Sequence, residues 1–237
     1  MKKTEQGYSI VELMIAMLLG ALVVVAATQL FSANQQLFTT QQAVSRILDD
    51  GQLVMRFLSA DLRKAGYSGD SVSNADGVVF GGGGSAEGAP NDRLQVEYYG
   101  TRDCQGSESP GGPIDITNTY SVNGNGELVC DGSLSDAPVA LVSGVEAFRV
   151  HYILDTDQNG EQGPFRIVGA NSAATSSDPI LGLRIGLLMA VPGEGLGANE
   201  PRTWRVLDRN IETGTDRAVR RLFSATVMFR NMNWEAL

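Results

Sequence analysis

The sequence predicts an α+β fold in which one long N-terminal helix packs on an antiparallel β-sheet and carries a single membrane-spanning segment. Two observations predict it. The first 65 residues contain no proline and carry apolar side chains at helical spacing. From Arg93 onward, short apolar-polar alternations are separated by Gly-, Asn- and Asp-rich turns.

The leading residues, Met1 to Gly7, are polar and include Lys2 and Lys3. From Tyr8 to about Leu30 the chain is apolar, and Glu12 is the only charge in that run. Some twenty apolar residues are long enough to span a bilayer as a helix. The two lysines hold the N-terminal side in the cytoplasm and deliver the remainder across the membrane. Two processing routes fit this pattern. A conventional signal peptide would be cut after Ala27, where Val25-Ala26-Ala27 supplies small residues. Against it, a carboxylate in an apolar span costs about 2.5–3.5 kcal/mol at its centre, somewhat less near its end, and a disposable peptide gains nothing from it. The helical pattern also continues past Ala27 through Gln29 to Ala65.

The other route is suggested by Gly7-Tyr8-Ser9-Ile10-Val11-Glu12-Leu13. This run resembles the type IV pilin leader, in which Gly is followed by an aromatic, a small hydroxylated residue, two aliphatics, Glu and Leu. Tyr8 stands where that family usually has Phe. The resemblance implies cleavage between Gly7 and Tyr8 by a prepilin peptidase, and methylation of the new Tyr8 amine. It also gives Glu12 a role in assembly. A buried charge in a bundle of apolar helices must be paired, and the Tyr8 amine of the same or a neighbouring subunit is the matching charge.

Beyond the membrane, Leu37, Val44, Ile47, Leu48, Val54, Met55, Phe57, Leu58, Leu62 and Ala65 form an apolar face. Gln35, Gln36, Gln41, Gln42, Asp49, Asp50, Arg56, Asp61 and Lys64 are expected opposite it. A helix from Tyr8 to Lys64 would be about 85 Å long. Gly66 is placed to end it. Ala60-Asp61-Leu62-Arg63-Lys64-Ala65-Gly66-Tyr67 resembles a run in the minor pilins called PilW, and Val227-Met228-Phe229-Arg230-Asn231 resembles the closing strand of PilW and of the GspJ pseudopilins.

Residues 68–92 are rich in Gly, Ser, Ala and Asp and read as a surface loop; the Lys-Ser/Thr of a phosphate loop does not follow them. Strands are predicted at Arg93–Tyr99, Thr117–Val122, Glu127–Cys130, Val145–Leu154, Phe165–Val168, Leu181–Val191, Trp204–Leu207 and Leu222–Arg230. Asn123-Gly124-Asn125-Gly126 marks a hairpin. Alternation with one apolar face predicts a sheet buried on one side, which the helix can cover. Cys104 and Cys130, an even pair in an exported domain, read as a disulfide tying a loop to that hairpin. The division expected is a leader at 1–7, a membrane or filament-core helix at 8–30, its amphipathic continuation at 31–66, and a periplasmic β-rich domain at 67–237.

Little here points to chemistry. A net charge of -9 argues against nucleic acid as a partner. Asp155, Asp157 and Asn159, followed by Gly160, resemble half of a calcium loop, but Arg166 stands where the closing Glu belongs, and a solvated turn fits as well. Calcium apart, no cofactor is expected. His151, the sole histidine, is expected to be exposed on a strand. Arg217, Arg220, Arg221 and Arg230 are expected on a solvated face. No hydrolase, zinc-protease or dinucleotide motif occurs. The resemblance therefore implies a non-enzymatic minor pilin. Its implied partners are other minor pilins, the major pilin, the prepilin peptidase, the inner-membrane assembly machinery and a tip adhesin. Its implied location is the bacterial inner membrane before assembly and the pilus tip afterwards. The rival is a GspJ-like pseudopilin of a type II secretion system. An exported enzyme or binding protein freed by signal peptidase is a rival of another class.

Overall fold

The computed structural model describes residues 7–67, 69, 91–156, 164–170, 178, 180–191 and 200–229. Helix α1 runs from Ile10 to Leu62. Ser9 caps it: its extended backbone leads in, and its side chain accepts a hydrogen bond from the Val11 N–H at 3.3 Å. Thr28, Thr39 and Thr40 are accommodated within the helix because each hydroxyl donates back to a carbonyl three or four residues earlier. The helix ends two residues before the predicted Lys64. Tight turns follow, and Gly66 adopts φ 75°, a left-handed conformation that glycine takes without penalty.

Ten strands follow: β1 (Leu94–Gly100), β2 (Ile114–Val122), β3 (Glu127–Gly132), β4 (Val139–Ser143), β5 (Val145–Asp155), β6 (Phe165–Gly169), β7 (Ile180–Val191), β8 (Thr203–Val206), β9 (Arg209–Glu212) and β10 (Val219–Met228). They do not make the single sheet expected. One antiparallel sheet has the order β1-β2-β3-β4, a second has β10-β7-β5-β6, and β8-β9 is a separate ribbon. The sheets are joined at Gly144, whose φ of 77° turns the chain from β4 into β5. There the Val145 N–H donates to the Gly126 carbonyl and the Ala190 N–H to the Gly144 carbonyl. The predicted hairpin is present, with β2 and β3 paired around the Asn123–Gly126 turn. That turn is held by the Asn123 side chain, which accepts from the Asn125 and Glu127 N–H groups.

The main core lies between α1 and the two sheets. Phe148, Val150, Tyr152 and Leu154 of β5 and Leu183, Ile185 and Leu187 of β7 supply one wall; Leu94, Val96, Ile116, Tyr120 and Leu128 supply the other. α1 lies chiefly along β10 and also touches β7 and β4. A second small core, Ala147, Leu188 and Val206 with Trp204 and Ile211, lies where the β8-β9 ribbon covers the far face of the second sheet. That face was expected to be solvated.

Candidate functional site: the apolar helix and its junction with the head

The helix has two unlike halves. From Ile10 to Phe38 its large apolar side chains, Ile10, Leu18, Leu22, Phe31 and Phe38 among them, are each more than 40% exposed. This segment is long and apolar enough to cross a membrane. Glu12 lies in its first turn, where the amide end of the helix favours a carboxylate. Gly7 and Tyr8 precede the cap in non-helical backbone, and Tyr8 is 86% exposed. Residues 1–6 of the expected leader lie outside the described residues.

From Ile47 onward one face is buried: Ile47, Gly51, Val54, Met55, Leu58, Asp61 and Leu62, with Ala65 just after. Of the predicted stripe, Leu37 and Phe57 are instead exposed: Leu37 lies in the uncovered half, and Phe57 falls off the buried face. Gly51 belongs to that face for a steric reason. A Cβ there would run into the Phe223 ring of β10, so glycine is what lets helix and strand meet at this point.

Asp61 departs most from the sequence reading. It was expected on the polar side and is 3% exposed. Its Oδ2 accepts hydrogen bonds from the Tyr120 hydroxyl at 2.6 Å and from Asn118 Nδ2 at 2.8 Å, and its Oδ1 accepts from Lys64 Nζ at 3.0 Å. Asn118 Nδ2 also donates to Tyr98 Oη at 3.1 Å. Burial, then the Asp61 charge, push the Tyr120 hydroxyl far above its ordinary range. Burial alone would lower Lys64, but Asp61 and Tyr98 outweigh it and raise its pKa. Beyond Ala65 the backbone joins the first sheet: the Gly66 N–H donates to the Glu97 carbonyl and the Tyr99 N–H to the Tyr67 carbonyl. The Asp61–Tyr67 run is thus the clasp that fixes the angle between helix and head. The spacing 54, 58, 61, 65 was the available signal for a buried Asp61, because it continues the apolar stripe.

The other sequence-predicted residues are placed as follows. Cys104 and Cys130 are disulfide-bonded, with Cα atoms 6.5 Å apart, and join the loop after β1 to β3. Beside them the buried Asp103 carboxylate accepts from the Gln105, Ser107 and Leu134 N–H groups and the Ser135 hydroxyl. Asp155 is fully buried at the end of β5, whereas Asp157 and Asn159 lie outside the described residues. Among the described residues no group of three metal-ligating side chains occurs, and Arg166 pairs with Asp178 at 2.9 Å. His151 is not an exposed strand residue. Its side chain is 14% exposed, with Nε2 3.0 Å from Asp208 Oδ1, because the β8-β9 ribbon folds over it.

Asp208 also meets Arg149, which is buried against Asp92 at 2.6 Å. Burial would raise Asp208, but the His151 hydrogen bond and the Arg149 charge outweigh it and lower its pKa. Arg220 is likewise buried rather than solvated, held between Glu146 and Asp216. Its hydrogen bond draws Asp216 down to about 2. Arg217 and Arg221 are exposed, and Arg230 lies outside the described residues.

Residues 118–231 match the family described as Type IV Pilus-assembly protein W, and residues 2–28 match the prokaryotic N-terminal methylation motif. The fold is similar to that of a type IV-like pilin from Thermus thermophilus, with a TM-score of 0.50 over 78% of this chain and 98% of that one. At 21% identity that likeness speaks for the fold alone. No curated protein sequence matches the chain. A methylation motif opens the apolar helix, the PilW family match spans residues 118–231, and the fold is that of a type IV-like pilin: the chain is similar to the pilin-like proteins of the PilW family.

Proposed function

We propose that the chain is a minor pilin that takes part in type IV pilus assembly. In this reading it is cut between Gly7 and Tyr8 by a prepilin peptidase and methylated on the Tyr8 amine. The apolar half of α1 holds it in the inner membrane with its head in the periplasm. It joins other minor pilins there, primes polymerisation of the major pilin through the inner-membrane machinery, and remains at the pilus tip, where it helps present an adhesin.

The observation that carries this reading is the uncovered apolar half-helix with its one carboxylate, Glu12, five residues after Gly7. Such a surface is completed only by lipid or by other apolar helices, and Glu12 needs a cation once water is excluded. The Tyr8 amine supplies one. Glu12 then sets the axial register of the incoming subunit. The head contributes surface and orientation, and no step of bond chemistry is assigned to it.

Deleting the gene and counting surface pili tests the role. Loss of pili with type II secretion intact is expected. Intact pili with lost secretion would assign the chain to a GspJ-like pseudopilus instead.

A further inference from the structure

The Asp61 clasp and the disulfide-bonded loop meet at one side chain. Asn118 is fully buried on β2. Its Oδ1 accepts from the Cys104 N–H at 3.0 Å, and its Nδ2 donates to Asp61 Oδ2 at 2.8 Å and to Tyr98 Oη at 3.1 Å. Tyr98 Oη donates in turn to the Arg102 carbonyl at 2.8 Å, on the same loop as Cys104. A carboxamide has one acceptor atom and two N–H donors, and here the acceptor and both donors are engaged. The group is planar, so its two ends turn together. With Oδ1 on the Cys104 N–H, both donors are aimed at the clasp. Turned the other way, the carbonyl would face the Asp61 carboxylate and the donors would face the Cys104 N–H.

The second cysteine reaches the same carboxylate by another route. Cys130 on β3 is the cross-strand partner of Tyr120, and the Tyr120 hydroxyl donates to Asp61 Oδ2 at 2.6 Å. The anchors of the neighbouring Asp103 point elsewhere. Its carboxylate binds Gln105, Ser107, Leu134 and Ser135, which ties the loop to itself and to the turn after β3. The loop meets β2 at Cys104, beside the S–S bond. A buried network of this kind is strong when every member is held and costly when one is released.

We propose that the Cys104–Cys130 disulfide is an oxidation-dependent lock on the angle between helix and head. In the dithiol the Cys104 N–H can leave Asn118 Oδ1, the amide loses the contact that orients it, and Asp61 loses a donor. Oxidation closes the network. Cys104 and Cys130 give up two protons and two electrons, the S–S bond forms, and the disulfide of an exported thiol–disulfide oxidoreductase is reduced to its dithiol. The chain becomes rigid at Asp61–Tyr67 once it is oxidised, so the membrane helix is aimed only after the head has crossed. The choice of oxidant rests on the export reading; the coupling does not, and it is measured on the purified chain.

Such coupling is reciprocal: if the disulfide steadies the clasp, the clasp steadies the disulfide by the same factor. The test equilibrates the full chain in detergent with mixtures of reduced and oxidised dithiothreitol and counts free thiols by alkylation and mass spectrometry. Asp61 hydrogen-bonds to neither cysteine, yet Asp61→Ala should lower the ratio of reductant to oxidant at half-reduction by about fivefold or more. Gly51→Val disturbs the helix at Phe223, outside the network, and should shift that ratio by less than about twofold. No shift in Asp61→Ala, or an equal shift in both variants, would overturn the proposal. If Asp61→Ala does not accumulate, the unsubstituted chain decides. Reduction should then speed hydrogen exchange of the Lys64–Tyr67 amides by about fivefold or more and spare those of β7. Unchanged exchange at Lys64–Tyr67, or the same speeding in β7, would overturn it. Neither measurement involves pilus assembly, so failure here leaves the pilin reading standing.

Discussion

The first and second halves of α1 are one continuous helix with opposite relations to the rest of the chain. From Ile10 to Phe38 none of the described residues of the head covers it. From Ile47 to Leu62 one face is buried on the chain's own sheets and ends in the Asp61 clasp. The first half is apolar around most of its circumference, as a segment bound for lipid or a helical bundle must be. The second half has a narrow stripe and polar flanks, as a helix docked on one side must have. Stability of the head is therefore written into the second half, and association into the first.

Substitutions in the second half should disturb folding and those in the first should not. The largest effect is expected at Asp61. Asp61→Ala leaves the buried Tyr120 hydroxyl and the Asn118 amide without their acceptor, at roughly 2–5 kcal/mol. Thermal unfolding of the full-length chain in detergent should show a large fall in Tm; an unchanged Tm would mean that the clasp does not hold the head.

Gly51→Val comes next. The added side chain meets Phe223, and forcing it in costs about 1–3 kcal/mol. Gly51→Val combined with Phe223→Ala should recover part of that loss, because the two share one space. Failure of the double variant to recover any would locate the strain elsewhere.

A smaller effect is expected from the ribbon that covers the second sheet. Asp208 has a lowered pKa in the folded chain, so its contribution is present above the ordinary carboxylate pKa and is lost as pH falls through the lowered one. The carboxylate is 46% exposed, so screening keeps this below about 1 kcal/mol. Asp208→Asn should flatten the acid limb of a stability-pH curve slightly. The smallest effect on the head is expected at Glu12: Glu12→Ala should leave its Tm unchanged and impair incorporation into filaments, read by immunogold labelling of sheared pili.

The sequence was most informative where local rules dominate. The helix was legible from its spacing and from the absence of proline, and the Asn123–Gly126 hairpin from its turn residues. β5, β7 and β10 were legible from strict alternation, their ends within three residues. The division into two sheets was not, because Gly144 changes sheet by a single turn, and one left-handed glycine looks like any other in the sequence. β4 was missed because four of its five residues are not buried and it has no alternation. β9, Arg-Asn-Ile-Glu, is held by its partner β8 and not by its own composition.

The clasp illustrates the same limit. Asp61-Leu62-Arg63-Lys64-Ala65-Gly66-Tyr67 stood out by resemblance, but its physical purpose depends on Asn118 and Tyr120, more than fifty residues away. Burial of His151 and Arg220 required partners equally distant or on other elements, Asp208 and Glu146. Charged and polar residues read as exposed in a sequence because their partners are not local.

In the proposed reading the apolar half of α1 is kept in the mature protein and begins at its new N-terminus. Mass spectrometry of the N-terminal peptide of the membrane- or pilus-associated protein tests it directly. The expected result is a chain beginning at Tyr8 with a methylated amine. A chain beginning at Thr28 would mean that the helix is a discarded signal peptide and would overturn the pilin reading.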